Sequence, residues 1–434
     1  MRPPWNRAMK PPGGNASSPD VEVPQGRSRF STYAAYFGPA IIAAVAYIDP
    51  GNFGTDIQSG AQYGYLLLWA VLLANLMGML LQYLSGKLGL ATDQSLGEMV
   101  RRSLGARWKV VTYWLACEVF ALFTDLAEFL GVTSAVYLLS DGRISLLASA
   151  WLSAFDVIVI FALLGRKFRR IEVMITTFVF GIGLGYVYEL VIAKPNPSAV
   201  AHGIIIPTIA NSNELFLVVG IIGATVMPHV LMLHSSLTKQ KSAGMDVAQR
   251  KRMLGLHRWD TIGNLTMAGL INMAILIMAA AAFYVRGLNV VTINDAYTTL
   301  TPLFGVAASV VFALTLMFSG WSSSTVGVIA GQSILEGLLG SKASPWLRRI
   351  LLRVVNVIPT SVAIMLGYQP LVLLVYSQVV LSLLIPLPLI PLIYYTSKRK
   401  FMGEFVNRHS ITFIALLVAG IIIVLNALLL VASV

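Results

Sequence analysis

Long apolar stretches alternate with short polar ones along almost the whole chain. A bilayer span needs about 20 predominantly apolar residues. Eleven stretches meet that measure, at about 34–60, 65–86, 110–138, 144–165, 172–193, 214–237, 260–285, 302–335, 350–367, 370–395 and 411–432. The pattern predicts an all-α integral membrane protein with eleven transmembrane helices. Residues 1–33 are polar and rich in Pro, Gly and Ser, and lack the apolar centre of a signal peptide. They read as a disordered cytoplasmic tail. The longest loops, 194–213 and 238–259, are too short for a soluble domain.

Two of these stretches are broken by the same pattern. One runs Ala46-Tyr47-Ile48-Asp49-Pro50-Gly51-Asn52, the other Ala224-Thr225-Val226-Met227-Pro228-His229. Proline has no N–H, and its ring clashes with the carbonyl four residues earlier. Pro50 should therefore free the carbonyl of Ala46, and Pro228 that of Ala224. Each break then offers a loose oxygen beside a ligand side chain, Asp49 or Met227. Unwound backbone at membrane depth is tolerated only where it is buried in protein or lines a wet cavity. Paired interrupted helices in two halves of a chain are the best sequence pointer to a transporter's binding site. The breaks fall in the first and sixth stretches, five apart. An odd period makes the second half enter from the opposite face, an inverted repeat of 34–193 and 214–395 with an additional C-terminal span at 411–432.

Composition agrees: 57% of the 434 residues are hydrophobic and 12% charged, with mean hydropathy +0.76. The net charge of +12 would suit nucleic acid, but its distribution argues otherwise. All of the 31 Lys and Arg except Arg143, Lys194 and Arg286 fall in alternate loops. The positive-inside rule accounts for that bias. It places the N-terminus in the cytoplasm and the C-terminus outside, in a plasma membrane. Runs such as Lys398-Arg399-Lys400 then serve topology and lipid headgroups. A single cysteine, Cys117, excludes an intrachain disulfide and a cysteine-cluster metal site.

Polar residues inside the spans carry the remaining chemistry. Asp49 and Asn52 flank the first break, and Gly51 permits the tight backbone that aims both inward. His229 and His234 follow the second break; a histidine is more often a packing residue than a ligand, but here both are proton-relay candidates. Glu118, Asp125 and Glu128, spaced by seven and three, share one face of the third span. They suit a proton path, or ion pairing with Arg348, Arg349 or Arg353 from another span. Gln378 and Asn426 are polar singletons that also suit helix–helix contacts. Gly38, beside Pro39, is the expected bending point of a moving first helix. A carboxylate, an amide and carbonyls suit hard cations. Met227 shifts the preference to softer transition metals, although methionine usually fills apolar space.

Asp49-Pro50-Gly51-Asn52 and Met227-Pro228-His229 resemble the signature motifs of the Nramp divalent-metal transporters. Thr124-Asp125-Leu126-Ala127-Glu128-Phe129 and Gly220-Ile221-Ile222-Gly223-Ala224-Thr225 are similar to that family as well. The resemblance runs from about residue 34 to the C-terminus. It implies a LeuT-like 5+5 inverted repeat with broken first and sixth helices. It also implies import of Mn²⁺ and Fe²⁺ coupled to protons by alternating access, with no permanently bound cofactor and, in a bacterium, an inner-membrane location. Carried over by motif, Asp49, Asn52 and Met227 would bind metal through side chains and Ala46 and Ala224 through carbonyls, with Gln378 joining in one conformation. Asp125, Glu128, His229 and His234 resemble the family's proton-pathway and gating residues. Arg348 and Arg349 lie near its pathway arginines. Magnesium-carrying relatives lack the methionine that Met227 supplies here. A sodium-coupled amino-acid transporter would share the fold without Asp49 and Met227 crowding its site. A membrane enzyme would need a constellation such as HExxH or GxSxG, and neither pattern occurs. An ion channel fits discontinuous helices less well.

Overall fold

The computed structural model describes residues 39–156, 158, 168–242, 244–288, 292–341 and 344–432, and every regular element among them is helical. Gly38, the tail 1–33 and much of the second half of the fourth expected span lie outside the described residues.

The first expected span is two helices, Pro39–Ala46 (α1) and Pro50–Tyr63 (α2). Pro50 occupies the first turn of α2, where its missing N–H costs nothing. Asp49 is extended (φ −99°, ψ 165°) and its carboxylate accepts from the Asn52 N–H at 2.8 Å, so the expected ligand also caps the helix. Next come Leu68–Thr92 (α3), Leu96–Leu104 (α4), Arg107–Leu139 (α5), Leu146–Ser153 (α6), Phe168–Ala193 (α7) and Pro197–Ile205 (α8). The sixth span is again divided, into Ser212–Val226 (α9) and Pro228–Ser242 (α10). Between them Met227 has φ 44°, a left-handed conformation that few side chains other than glycine adopt. Val247–Ala282 (α11), Ile293–Phe304 (α12), Val306–Leu339 (α13), Pro345–Met365 (α14), Pro370–Leu384 (α15), Pro386–Ser397 (α16), Arg399–Met402 (α17) and His409–Ala432 (α18) complete the chain.

Six helical segments among the described residues are long and apolar enough to cross a membrane: Leu68–Thr92, Ser212–Ser242, Val247–Arg286, Val306–Leu339, Pro370–Ser397 and His409–Ala432. They match six of the expected spans. The other expected spans coincide with helices that are shorter, more charged or only partly described. α5 carries the three acids, and α14 carries Arg348, Arg349 and Arg353. α18 turns Phe413, Leu416, Leu417, Leu428 and Val431 outward, an apolar surface suited to lipid.

The broken helices lie inside the bundle. α2 packs on α11, α9 on α15, α10 on α3 and α5 on α13. One buried cluster gathers Ala46, Tyr47, Ile48, Phe53, Met227, Val230, Leu316 and Leu374, so both breaks share one core. The short helix α4 is fixed by a capping box between Ser95 and Glu98. Glu98 also meets the Lys239 ammonium at 2.7 Å. Burial pushes the Glu98 carboxyl up, but Lys239 and the Ser95 N–H outweigh it and hold it below the usual range.

Candidate metal site

Asn52 ties the two breaks together. Its Nδ2 lies 2.9 Å from Asp49 Oδ1, 3.1 Å from the Tyr47 carbonyl and 3.0 Å from the Ala224 carbonyl. Its Oδ1 accepts from the Thr225 hydroxyl at 3.1 Å. Pro228 has no N–H to offer Ala224, and a side chain of the other broken helix takes that carbonyl. In the first break, Asn272 of α11 donates to the Tyr47 carbonyl at 2.9 Å and Ser319 of α13 donates to the Ile48 carbonyl at 2.7 Å. Ala46 ends α1, and Pro50 cannot bond its carbonyl. The unwound stretch is longer than a single proline clash, so side-chain donors reach Tyr47 and Ile48 instead.

Asp49, Asn52, Met227, Ala46, Ala224 and Gln378 are all fully buried. Gln378 of α15 is pressed against the first break: a Cβ on Gly51 would collide with its carboxamide. Gln378 Nε2 donates to the Ser377 hydroxyl at 2.9 Å, while among the described residues neither Gln378 Oε1 nor Asp49 Oδ2 has a partner. A buried acceptor left unpaired costs about 1–3 kcal/mol. Met227 lies in the same buried cluster as the first break, and a thioether among oxygen donors is chemistry of mixed hard and soft preference. Among the described residues no three His, Cys, Asp or Glu side chains converge to hold a metal ion. The residues expected to bind metal include one carboxylate, Asp49, with amide, carbonyl and sulfur groups beside it in the sequence motifs.

A second polar network runs beside it. A Cβ on Gly131 of α5 would strike Pro50, so α5 lies directly against the first break. Glu128 is three residues back on the same helix face. Ser323, one turn beyond Ser319 on α13, donates to Glu128 Oε1 at 3.2 Å. The Arg349 guanidinium is 3.6 Å from Glu128 and pairs closely with Asp125. Asn356 Nδ2 donates to the other oxygen of Asp125 at 2.7 Å. Arg353 pairs with Asp156 at 2.7 Å and approaches Asp125 at 3.8 Å. Glu118 meets Arg348 at 2.7 Å, nearer the rim. The Thr124 hydroxyl spends its proton on the Phe120 carbonyl at 2.8 Å, so the His229 Nδ1 3.2 Å away donates to it. His229 Nε2 is left with a lone pair and no partner among the described residues. His229, Thr124, Asp125, Glu128, Arg348 and Arg349 line one small cavity.

His234 belongs elsewhere. Five residues from His229 is about 140° around a helix, and His234 faces Gln82 of α3 at 3.0 Å. The residues not singled out beforehand are Asp156, Asn356, Ser319, Ser323, Asn272 and His257. Asp156, a carboxylate within an expected span, was detectable by the rule that marks Asp49. The serines and asparagines had no such signal.

Two mid-span helix breaks, joined by the Asn52 side chain, define a membrane protein of the LeuT-like fold. The fold matches that of the nucleobase-cation-symport-1 family transporter Mhp1 in a closed conformation (TM-score 0.53, 14% identity, 87% of this chain and 82% of that one). The chain belongs to the Nramp family, described as natural resistance-associated macrophage protein-like, whose profile matches residues 40–432. It is 44% identical over 403 residues to the divalent metal cation transporter MntH of Chromohalobacter salexigens, covering 92% of each. A crystal structure of the Eremococcus coleocola manganese transporter, in complex with an aromatic bis-isothiourea substituted compound, superposes with a TM-score of 0.85. That pair is 31% identical and covers 95% of this chain and 89% of the other. The family comprises membrane transporters rather than enzymes.

Proposed function

We propose that this chain imports divalent transition metal ions, Mn²⁺ and Fe²⁺, coupled to proton movement by alternating access. Its setting is the plasma membrane, a bacterial inner membrane, with the N-terminus in the cytoplasm, the C-terminus outside and lipid around the apolar faces. Residues 34–193 and 214–395 act as the inverted repeats, and 411–432 as an additional span. The relatives' roles as divalent metal and manganese transporters support the cargo. The observation that carries the reading is the Asn52 junction, flanked by the unpartnered Asp49 Oδ2 and Gln378 Oε1 and by Met227.

The cargo ion takes the Asp49 carboxylate, the Asn52 and Gln378 amide oxygens, the Ala46 and Ala224 carbonyls and the Met227 sulfur. Ligands must be deprotonated to bind metal, so loading expels a proton from Asp49. The Glu128–Arg349–Asp125 network, with His229, receives it. No permanently bound cofactor is required: metal and proton are both cargo. The test is Mn²⁺ uptake into proteoliposomes with a trapped pH dye. The parent chain should take up Mn²⁺ and acidify the lumen while excluding Ca²⁺, and Asp49→Ala should do neither. Normal Mn²⁺ uptake by Asp49→Ala would overturn the reading.

A further inference from the structure

His234 and His257 form an imidazole pair away from the metal site. His234 lies seven residues, about 10 Å of helix, beyond Met227. His257 comes from α11, and the two rings meet edge to face with centroids 5.1 Å apart. His234, His257, Gln82 and Thr261 are all fully buried. The pair borders the start of the first broken helix: Asp260, three residues after His257, accepts from the Ala40 N–H at 3.4 Å.

Hydrogen bonding sets both tautomers. The Tyr83 carbonyl can only accept, so His257 Nε2, 3.2 Å away, carries the proton. His257 Nδ1 is then a lone pair facing the Thr261 hydroxyl at 3.5 Å. Gln82 Oε1 accepts from His234 Nδ1 at 3.0 Å, and His234 Nε2 is left as a lone pair with no partner among the described residues. His257 thus has one nitrogen held by the Tyr83 carbonyl and its lone pair at the limit of reach of the Thr261 hydroxyl, whereas His234 has one nitrogen held by Gln82 and the other without a partner among the described residues. Metal-binding histidines show that arrangement, because the held N–H fixes the tautomer and orients the lone pair. The His257 ring cannot drift: it stacks on Tyr83 at 5.7 Å, and a Cβ on Gly86 would run into it. If His234 merely packed, its buried Nε2 would have a partner as well.

We propose that His234 and His257 form a second, weak divalent transition-metal site, visited by the cargo between the Asp49–Met227 site and the face at which α1 begins. This rests on the transport reading above. Imidazole suits transition metals and gives Ca²⁺ and Mg²⁺ little, so the pair repeats the selection made at Met227. Two neutral ligands without a carboxylate hold an ion loosely, as a site on a transport path requires.

The test uses Co²⁺ and the full chain in lipid nanodiscs, in an Asp49→Ala background that removes the main site. Binding and visible absorption should report one residual saturable Co²⁺ site per chain with imidazole ligation, insensitive to excess Ca²⁺. His257→Asn and His234→Asn should each weaken it by about tenfold or more. His257→Gln, which keeps a donor for the Tyr83 carbonyl but has no lone-pair nitrogen, gives the same comparison if His257→Asn unfolds early. No residual site, or a residual site unchanged by His257→Asn or His257→Gln, overturns the proposal. Mn²⁺ uptake by the parent chain is measured in parallel. Its absence would sink the transport reading, whereas uptake without the residual site sinks only the second site.

Discussion

Asp125→Asn should separate metal binding from proton movement. Asp125 is 3% exposed and uses both oxygens, one toward Arg349 and one toward Asn356. An amide of the same shape has one acceptor, so its NH₂ must face Arg349 or Asn356, both donors. Breaking a buried ion pair by removing one partner costs about 3–5 kcal/mol. Arg349 retains Glu128 at 3.6 Å and Asp156 at 3.9 Å, which places the loss at the lower end, about 3 kcal/mol. The variant should therefore fold with a reduced thermal midpoint. Asp125 bonds to none of Asp49, Asn52, Met227 or Gln378, and separate sites couple by no more than about 0.5 kcal/mol. Mn²⁺ affinity by titration calorimetry should then stay within about twofold of the parent. The amide cannot carry the proton, so Mn²⁺-driven acidification of proteoliposomes should be lost. Undiminished acidification would remove Asp125 from the pathway, and loss of Mn²⁺ binding would show that the two networks are one.

Met227→Ala should keep Mn²⁺ transport and lose about 1–3 kcal/mol of discrimination against Ca²⁺ and Mg²⁺; competition uptake assays read this directly, and an unchanged rejection of Ca²⁺ would acquit the sulfur. Gly51→Ala should cut uptake by forcing the Gln378 carboxamide aside, and adding Gln378→Ala should relieve the crowding without restoring full metal affinity; normal uptake by the single variant would show that Gln378 does not belong at the break. The Glu98 carboxyl is held below its unfolded value, so the support it gives through Lys239 is present above the usual carboxylate range and fades as pH falls through its lowered folded value. Because the pair is partly exposed, its share should not exceed about 1 kcal/mol, and Lys239→Met should flatten the acid limb of a melting-temperature profile by that small amount.

The breaks were legible because proline acts locally: the clash at i−4 and the missing N–H follow from sequence position alone. That logic correctly marked Ala224, whose carbonyl is taken by Asn52. It did not reach Tyr47 and Ile48, because the length of an unwound stretch depends on donors from other helices, here Asn272 and Ser319. Helical periodicity placed Glu118, Asp125 and Glu128 on one face. It could not select Asn356, Asp156 or Ser323 as partners, since those contacts join residues far apart in the chain. His257 escaped for the same reason; only the packing of α3, α10 and α11 brings it to His234.

The double duty of Asp49 gives the site its physical logic. One carboxylate oxygen starts α2 by accepting the Asn52 N–H, and the other has no partner among the described residues. Asn52 meanwhile holds the Ala224 carbonyl and accepts from Thr225, so the two broken helices are latched through one amide. A cation held by Asn52 Oδ1 and the Ala224 carbonyl would displace both of those hydrogen bonds. The ion would then be the bridge between α2 and α9, replacing a neutral latch with a charged one. A ligand shifts a conformational equilibrium only by its difference in affinity for the two states. Such a difference would arise because the Asn52 hydrogen bonds and a metal bridge would need the same atoms and could not both form. Asn52→Ala should consequently do more than weaken metal binding: it should uncouple the relative position of the two breaks from metal occupancy, which distance measurements between spin labels on α2 and α9, with and without Mn²⁺, would register as a loss of the metal-induced shift.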